Sequence, residues 1–295
     1  MNNLIKNSLK YISFPIILFS STFFTIKLIE SGYNKALTLM SMSLIVFVIM
    51  YTLERIIPYQ EKWNNDPEVF KDIFHNFFGT YLGAAIGNII VINFFGNIGM
   101  WITRVTEYSL WPSQLPILFQ VALIFLISDL GRYIQHRLHH TVPFFWKFHE
   151  LHHDCPTLNV FKAGRNHIVE RIFQQLFMYS LLYFLGVPEN IFIYFLIPNS
   201  FLGIFVHSNT DLRIGPFEKI IMGPNAHKIH HSLDSHEGNS NFGSALVIWD
   251  LIFKTYISPK KYIMNNKKIE VGVKKRNIPD GNVITQALYP FSLKK

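Results

Sequence analysis

HRLHHTVPFFWKFHELHHD, residues 136–154, sets six imidazoles within nineteen positions, directly behind the apolar run LPILFQVALIFLISDLGRYI at 115–134. Histidine is seldom used so freely where lipid is close, so the pattern asks what needs neutral nitrogen there. On either side the chain is greasy. Of its 295 residues, 49% are hydrophobic, 16% aromatic and only 16% charged, with a mean hydropathy of +0.22. Water-soluble domains carry about 25% charged residues, so part of this chain's solvent is hydrocarbon.

Four apolar windows, 11–29, 36–53, 77–102 and 115–134, approach the roughly 20 residues needed to cross a bilayer. The third carries Gly79, Gly83, Gly87, Gly96 and Gly99, which suits close helix–helix approach in lipid. A fifth region, 172–206, is interrupted by Gly186, Pro188 and Pro198 and reads as a tight hairpin of two shorter helices. The first window has no small-x-small cleavage site and holds Lys27, so it reads as an uncleaved anchor. The expectation is an all-α integral membrane protein with roughly four transmembrane helices, a short hydrophobic hairpin and a helical cap carrying the histidine clusters. Residues 1–114 then form an N-terminal transmembrane region, 115–256 a catalytic region, and 257–295 a basic tail.

Lys6 and Lys10 precede the first window, and Arg55, Lys62 and Lys71 lie between the second and third. By the positive-inside rule both termini and the histidines are cytoplasmic, at a bacterial inner membrane or the endoplasmic reticulum. The net charge of +8 does not point to nucleic acid, because the basic residues are not interleaved with aromatics on one stripe. Many sit in the tail, at Lys260, Lys261, Lys267, Lys268, Lys274, Lys275 and Arg276. Such a segment reads as facing lipid or a partner, or as merely solvated. The single cysteine, Cys155, excludes an internal disulfide and a cysteine-based zinc knuckle.

His149, His152 and His153 form H-x-x-H-H, and His227, His230 and His231 repeat it. On a helix, positions i, i+3 and i+4 share one face, so each triplet is expected to converge on one point; His136 and His140, four apart, do likewise. Random placement of the 13 histidines would yield roughly a few hundredths of such a motif per chain, and there are two. Crowded imidazoles must stay neutral to avoid repulsion, and neutral imidazole suits iron, zinc, copper and nickel. Zinc takes at most four ligands, often three from protein, so eight histidines imply two ions. Asp129, Glu150 and Glu170 are expected to orient the rings rather than ligate. His139, His75 and His236 read as neighbours, interfacial or loop residues.

The order DLGRYIQHRLHH (129–140), WKFHELHH (146–153), RNHIVE (165–170), HSN (207–209), PNAHKIHHS (224–232), NFG (241–243) and WDLIFKTY (249–256) resembles the fatty acid hydroxylase and sterol desaturase superfamily. Ile168 stands where that family usually has proline and Lys254 where it usually has glycine. The resemblance implies an integral-membrane di-iron oxygenase that hydroxylates or desaturates lipid C–H bonds. It implies His136, His140, His149, His152, His153, His227, His230 and His231 as metal ligands and as the catalytic set, with His207 and His167 as candidates for further positions. Two iron ions are the implied cofactor, and zinc is a possible substitute in preparations. No G-x-G-x-x-G follows a strand and no C-x-x-C-H occurs, so electrons are expected from an external ferredoxin or b-type cytochrome docking on Lys147 and the tail. A membrane zinc hydrolase and a metal transporter are the alternatives; transport sites usually lie at the bilayer midplane, whereas these triplets follow apolar runs.

Overall fold

The computed structural model describes residues 2–279 and 281–292. They form helices and loops, with three isolated antiparallel bridges and no extended strand. Among the described residues five helices are long and apolar enough to cross a membrane: α1 (Asn3–Glu30), α2 (Lys35–Ile56), α3 (Val69–Thr106), α4 (Ile117–Thr141) and α7 (Glu189–His207). α3 is continuous through two wide π-type stretches, His75–Leu82 and Val91–Gly96. A short helix, α5 (Pro143–His153), follows α4 after one residue, its Pro143 at the first helical position where a missing N–H costs nothing.

The 172–206 region is a hairpin of α6 (Ile168–Phe184) and α7 (Glu189–His207). Gly186, at φ +71°, makes the turn, a backbone state open to glycine at little cost. Pro198 does not break the hairpin's second arm, contrary to the sequence reading; it lies inside α7, whose 19 residues qualify as a fifth apolar span. A further short helix, α8 (Pro224–His230), again opens on proline.

Outward faces are apolar. Ile16, Phe19, Phe23, Leu44, Tyr81 and Leu118 are each more than half exposed, the inverse of a water-soluble surface and the expected lipid-facing one. Small polar side chains turn inward and are satisfied along their own helix: Ser21 donates to Ile17 O at 2.6 Å and Thr25 to Ser21 O at 2.6 Å. α1, α2 and α7 share a core of Phe14, Leu18, Val46, Met50, Phe201 and Phe205, with Phe14 and Phe205 edge-to-face at 5.1 Å. A second core joins Ile124 of α4, Met178 and Leu182 of α6 and Phe195 of α7.

The expected glycine stripe of α3 does pack closely, against α6. A Cβ on Gly99 would lie 2.1 Å from Phe184 O, and one on Gly87 would lie 2.6 Å from Gln175 Cβ. Gly131 of α4 meets the other side of α6, its would-be Cβ 2.0 Å from Phe177 O. α6 is thus clamped between two backbones and cannot slide or rotate.

The basic segment does not hang free. Between and beyond its lysine pairs lie apolar residues that find partners: Ile269 and Val271 are buried with Tyr59, Trp63 and Ile229, while Ile278 and Tyr289 cover Leu151. Arg276 Nε meets Asp154 Oδ2 at 2.7 Å, and Asn277 N donates to Glu150 Oε1 at 2.7 Å. The segment straps the cap.

The Gly131→Ala protein is expected to lose about 1–3 kcal/mol of stability, read as a lower thermal midpoint in detergent. Gly203→Ala, on the open face of α7 with nothing within 4 Å, is expected to leave the midpoint unchanged.

Candidate metal centre

Four separate pieces of chain deliver histidines to one place. The last turns of α4 carry His136 and His140, α5 ends in His149, His152 and His153, and α7 ends on His207. α8 and the residue after it carry His227, His230 and His231. Nine imidazoles collect into two groups, one of His136, His140, His149, His153 and His230, the other of His152, His207, His227 and His231. Within each group the ligand atoms lie within 4.8 Å of one another.

The triplets therefore do not each converge on one point, as the sequence spacing was read. Each gives its i and i+4 rings to one group and its i+3 ring to the other. At 3.6 residues per turn, i and i+4 project about 40° apart, whereas i+3 and i+4 diverge by about 100°. α5 and α8 divide their rings in opposite senses, so the groups adjoin. His153 and His231 stack across the boundary with centroids 4.3 Å apart.

The protonation pattern tests whether cations fit. His136 Nδ1 donates to Phe242 O at 2.8 Å, His149 Nδ1 to Glu170 Oε1 at 2.7 Å and His230 Nδ1 to Ser240 O at 2.8 Å. Because Phe242 O and Ser240 O only accept, the Nδ1 of His136 and of His230 carries the proton and each neutral ring turns a bare Nε2 inward; Glu170 in its ionised form sets the same tautomer on His149. His136 Nε2 and His149 Nε2 nevertheless stand 3.1 Å apart, two lone pairs face to face. His140 Nε2 and His153 Nε2 also lie 3.1 Å from His149 Nε2, more neighbours than one ring nitrogen can bond. In the second group, Nε2 of His207 lies 3.1 Å from that of His152 and 2.9 Å from that of His227. His230 Nε2 and the Nδ1 atoms of His207, His227 and His231 have no hydrogen-bond partner among the described residues.

Extra protons do not resolve this. Burial, and then the neighbouring imidazoles, hold His149, His152, His153, His227 and His231 well below the ordinary histidine range. Burial, aided by the Arg132 charge and the His207 ring and opposed by the Ser240 contact, lowers His230 to about 3. Each buried unsatisfied polar atom costs roughly 1–3 kcal/mol, whereas coordination by structural metal sites is of order 10 kcal/mol. Convergent bare nitrogens fit divalent cations, and the donor set is all imidazole.

Of the three carboxylates expected to orient the rings, only Glu170 touches one. Asp129 Oδ1 instead accepts from Ser244, Ala245 and Leu246 N, the nearest at 2.8 Å. Glu150 faces the strap, through Asn277. His167 reaches neither group. It caps α6, accepting from Val169 N on Nδ1 and donating from Nε2 to Ala287 O at 2.9 Å, so both ring nitrogens are engaged. His139 donates back to Gln135 O, a neighbour as expected. His75 is buried on α3 against Gln286 rather than interfacial, and His236 is exposed.

Several positioning groups were invisible to spacing because they act through backbone. Phe242 O, which holds His136, sits in a turn whose Phe242 and Gly243 N–H groups donate to Asp250 at 2.8 and 2.7 Å. Asn241, at φ +52°, locks that turn through Ala226 O and Ile257. Arg165 offers its carbonyl to His152 Nδ1 at 3.3 Å, while its guanidinium reaches Asp72 and Leu151 O. Glu54 of α2 accepts from Val160 N and Asn209 N, fixing the chain just past His207. A cavity of about 410 Å³ opens to the outside over the first group, lined by His140, His153, Trp146, Leu233, Asn239 and Lys274.

The first group thus has three short outer contacts, one to a carboxylate; the second has one long one. Such partners are worth about 10–100-fold in metal affinity. Graded chelation, followed by metal content per chain, is expected to remove one equivalent before the other. Glu170→Ala is expected to narrow that difference, and His167→Ala to leave two equivalents bound.

Residues 121–255 match the family described as fatty acid hydroxylase. The ornithine lipid hydroxylase OlsE of Rhizobium tropici is 35% identical over 223 residues, 72% of this chain and 65% of the relative, so the chain spans just under two thirds of that protein's length. Human alkylglycerol monooxygenase is 31% identical over 132 residues, 45% of this chain and 29% of the relative. The Delta(7)-sterol 5(6)-desaturase ERG3 of Candida albicans is 26% identical over 145 residues, covering 48% and 35%. No solved structure matches the chain. The matched segment holds all nine converging histidines, so residues 121–255 form a fatty acid hydroxylase domain, and the relatives it is similar to are of the same superfamily.

Proposed function

We propose that this protein is a membrane-bound di-iron oxygenase that hydroxylates, or desaturates, a C–H bond of a lipid with O2 and electrons from an external donor. The observation that carries the reading is the pair of adjoining imidazole groups with bare inward nitrogens, at the ends of apolar helices. Iron bound there supplies reduction of O2 to an oxidant strong enough for an unactivated C–H bond, chemistry no side chain provides. Hydroxylation consumes the C–H bond, O2, two electrons and two protons, and yields C–OH and one water. Desaturation takes a hydrogen from each of two adjacent carbons and yields two waters. Relatives named as a lipid hydroxylase, an alkylglycerol monooxygenase and a sterol desaturase support the lipid class and the reaction type.

The chain's own residues hold and shield the centre. His136, His140, His149, His153 and His230 would hold one ion, and His152, His207, His227 and His231 the other. Glu170 keeps the His149 proton on Nδ1 and balances charge. Trp146 and Phe242 pack on His140 at 5.3 and 5.2 Å and limit water. The cavity over His140 and His153 admits the lipid chain, and Lys274 and Lys275 at its rim, with Lys147 on α5, offer a basic face to an acidic ferredoxin or b-type cytochrome. Cap and termini are assigned to the cytoplasm on the charge bias of the connections. A zinc hydrolase would turn over without O2 and a transporter would move metal across vesicles; the named relatives favour neither.

The test is purified protein in lipid discs with iron and a reductant, read by mass spectrometry. A gain of one oxygen, or loss of two hydrogens, is expected only when O2 is present, with a loss of about 100-fold or more in His149→Ala. Turnover without O2, or full activity in that variant, would overturn the reading.

A further inference from the structure

Away from the histidines, a cavity of about 620 Å³ lies between the first turns of α1 and the segment after α2. Lys6, Lys10, Lys62 and Lys268 line it, with Glu61 as the lining carboxylate. Lys10 is bound to Asp211 at 2.6 Å. Lys6, Lys62 and Lys268 have no carboxylate within 4.0 Å among the described residues, and Lys268 Nζ sits 4.3 Å from the Tyr59 ring centroid. Four ammonium groups against Glu61 and Asp211 leave two positive charges uncompensated. The 28-residue α1 also starts here, adding the positive end of its dipole.

The cavity's level in the membrane follows from the sequence. The apolar run of α1 begins at Tyr11, one residue beyond Lys10, and α2 ends at Ile56 on the cavity wall. Lipid-facing Ile12, Ile16 and Phe19 continue from its mouth along α1, at 46%, 58% and 55% exposure. A ligand here meets cations at one end and an apolar helix face at the other. We infer that the cavity binds the phosphodiester headgroup of an anionic phospholipid, with its acyl chains along α1.

Binding there braces the fold. The cavity floor is tied to the chain after His207: Tyr59 N donates to Asn209 O at 2.8 Å, Gln60 N to Asn209 Oδ1 at 3.0 Å and Asp211 N to Ile57 O at 2.9 Å. A headgroup bridging α1 to this floor adds stability by mass action.

The experiment uses the full chain in detergent, titrated with phosphatidylglycerol, phosphatidylcholine or inorganic phosphate. Retained lipid is read by native mass spectrometry and stability by thermal midpoint. Expected are one phosphatidylglycerol per chain and a raised midpoint, with no effect of phosphatidylcholine or phosphate. The Lys6→Gln, Lys62→Gln, Lys268→Gln variant is expected to bind about 10-fold or more weakly while keeping the metal content of the wild type, which reports folding. Lys260→Gln with Lys261→Gln, removing two charges from the nearby strap, is expected to bind as the wild type does. Protection by inorganic phosphate alone would make the ligand a free anion, and equal losses in both variants would make the binding diffuse surface charge; either overturns the inference.

Discussion

Everything in the cap is arranged around a repulsion: ring nitrogens held bare and pointed at one another. A neutral imidazole has one proton, and placing it outward on Nδ1 leaves the inner nitrogen as a lone pair. Glu170, Phe242 O and Ser240 O make that choice for His149, His136 and His230. Burial then keeps the rings outside the spans from escaping by protonation. The arrangement is costly without cations and strongly favourable with them, so the same geometry accounts for burial, tautomer and ligand together.

Holding such a centre needs rigid backbone, and the membrane region supplies it by close approach rather than by hydrophobic drive, which is weak between helices in lipid. α6 is fixed between glycines of α3 and Gly131 of α4, so Glu170 near its start keeps its distance to His149. Below the cap, Lys162 reaches Asp66 and Asp72 at 2.8 and 2.7 Å, and Arg165 shares Asp72. These buried charges pin the 157–167 loop, whose Arg165 carbonyl holds His152. Positions where this chain departs from its family's pattern fit the same frame. Ile168 takes the first position of α6, where proline's missing N–H is dispensable and an ordinary residue serves as well. Lys254 adopts φ +59°, a left-handed backbone that explains why glycine is usual there.

Much of this was legible in the sequence, because long apolar runs, a glycine stripe and repeated histidine spacing are each set by geometry local to one helix. The all-helical fold, the close α3 contacts and eight of the converging rings follow from such patterns, and His207 was a candidate through the family resemblance. What was misread depends on which way things face in space. Spacing gave the triplets a shared face but not the division of their rings, since a second centre can draw off the i+3 position. His167 sits in a motif rich in charge, yet its ring is consumed by capping α6 and by Ala287 O. Asp129 and Glu150 lie near the histidines in sequence, but their carboxylates serve a loop and the strap. The strap itself was hidden by its lysines, which mask Ile269, Val271 and Ile278.

The two groups are not interchangeable, and the difference follows from how the chain is threaded. The first is built largely on α4 and α5, consecutive helices joined by a single residue, and the cavity reaches it through His140, the only one of the nine rings among the described residues that is not fully buried. The second is closed by His207 at the end of α7 and by His227 and His231 at α8, whose Nδ1 atoms have no short hydrogen-bond partner among the described residues. One group is therefore tightly oriented and open to the outside, while the other is loosely oriented and enclosed. Of the nine rings, those that line this cavity are His140 and His153. The enclosed group adjoins the open one through several ring pairs, His153–His231 at 4.3 Å and His149–His152 and His227–His230 at 5.3 Å, so a shift in either group reaches the other at more than one point.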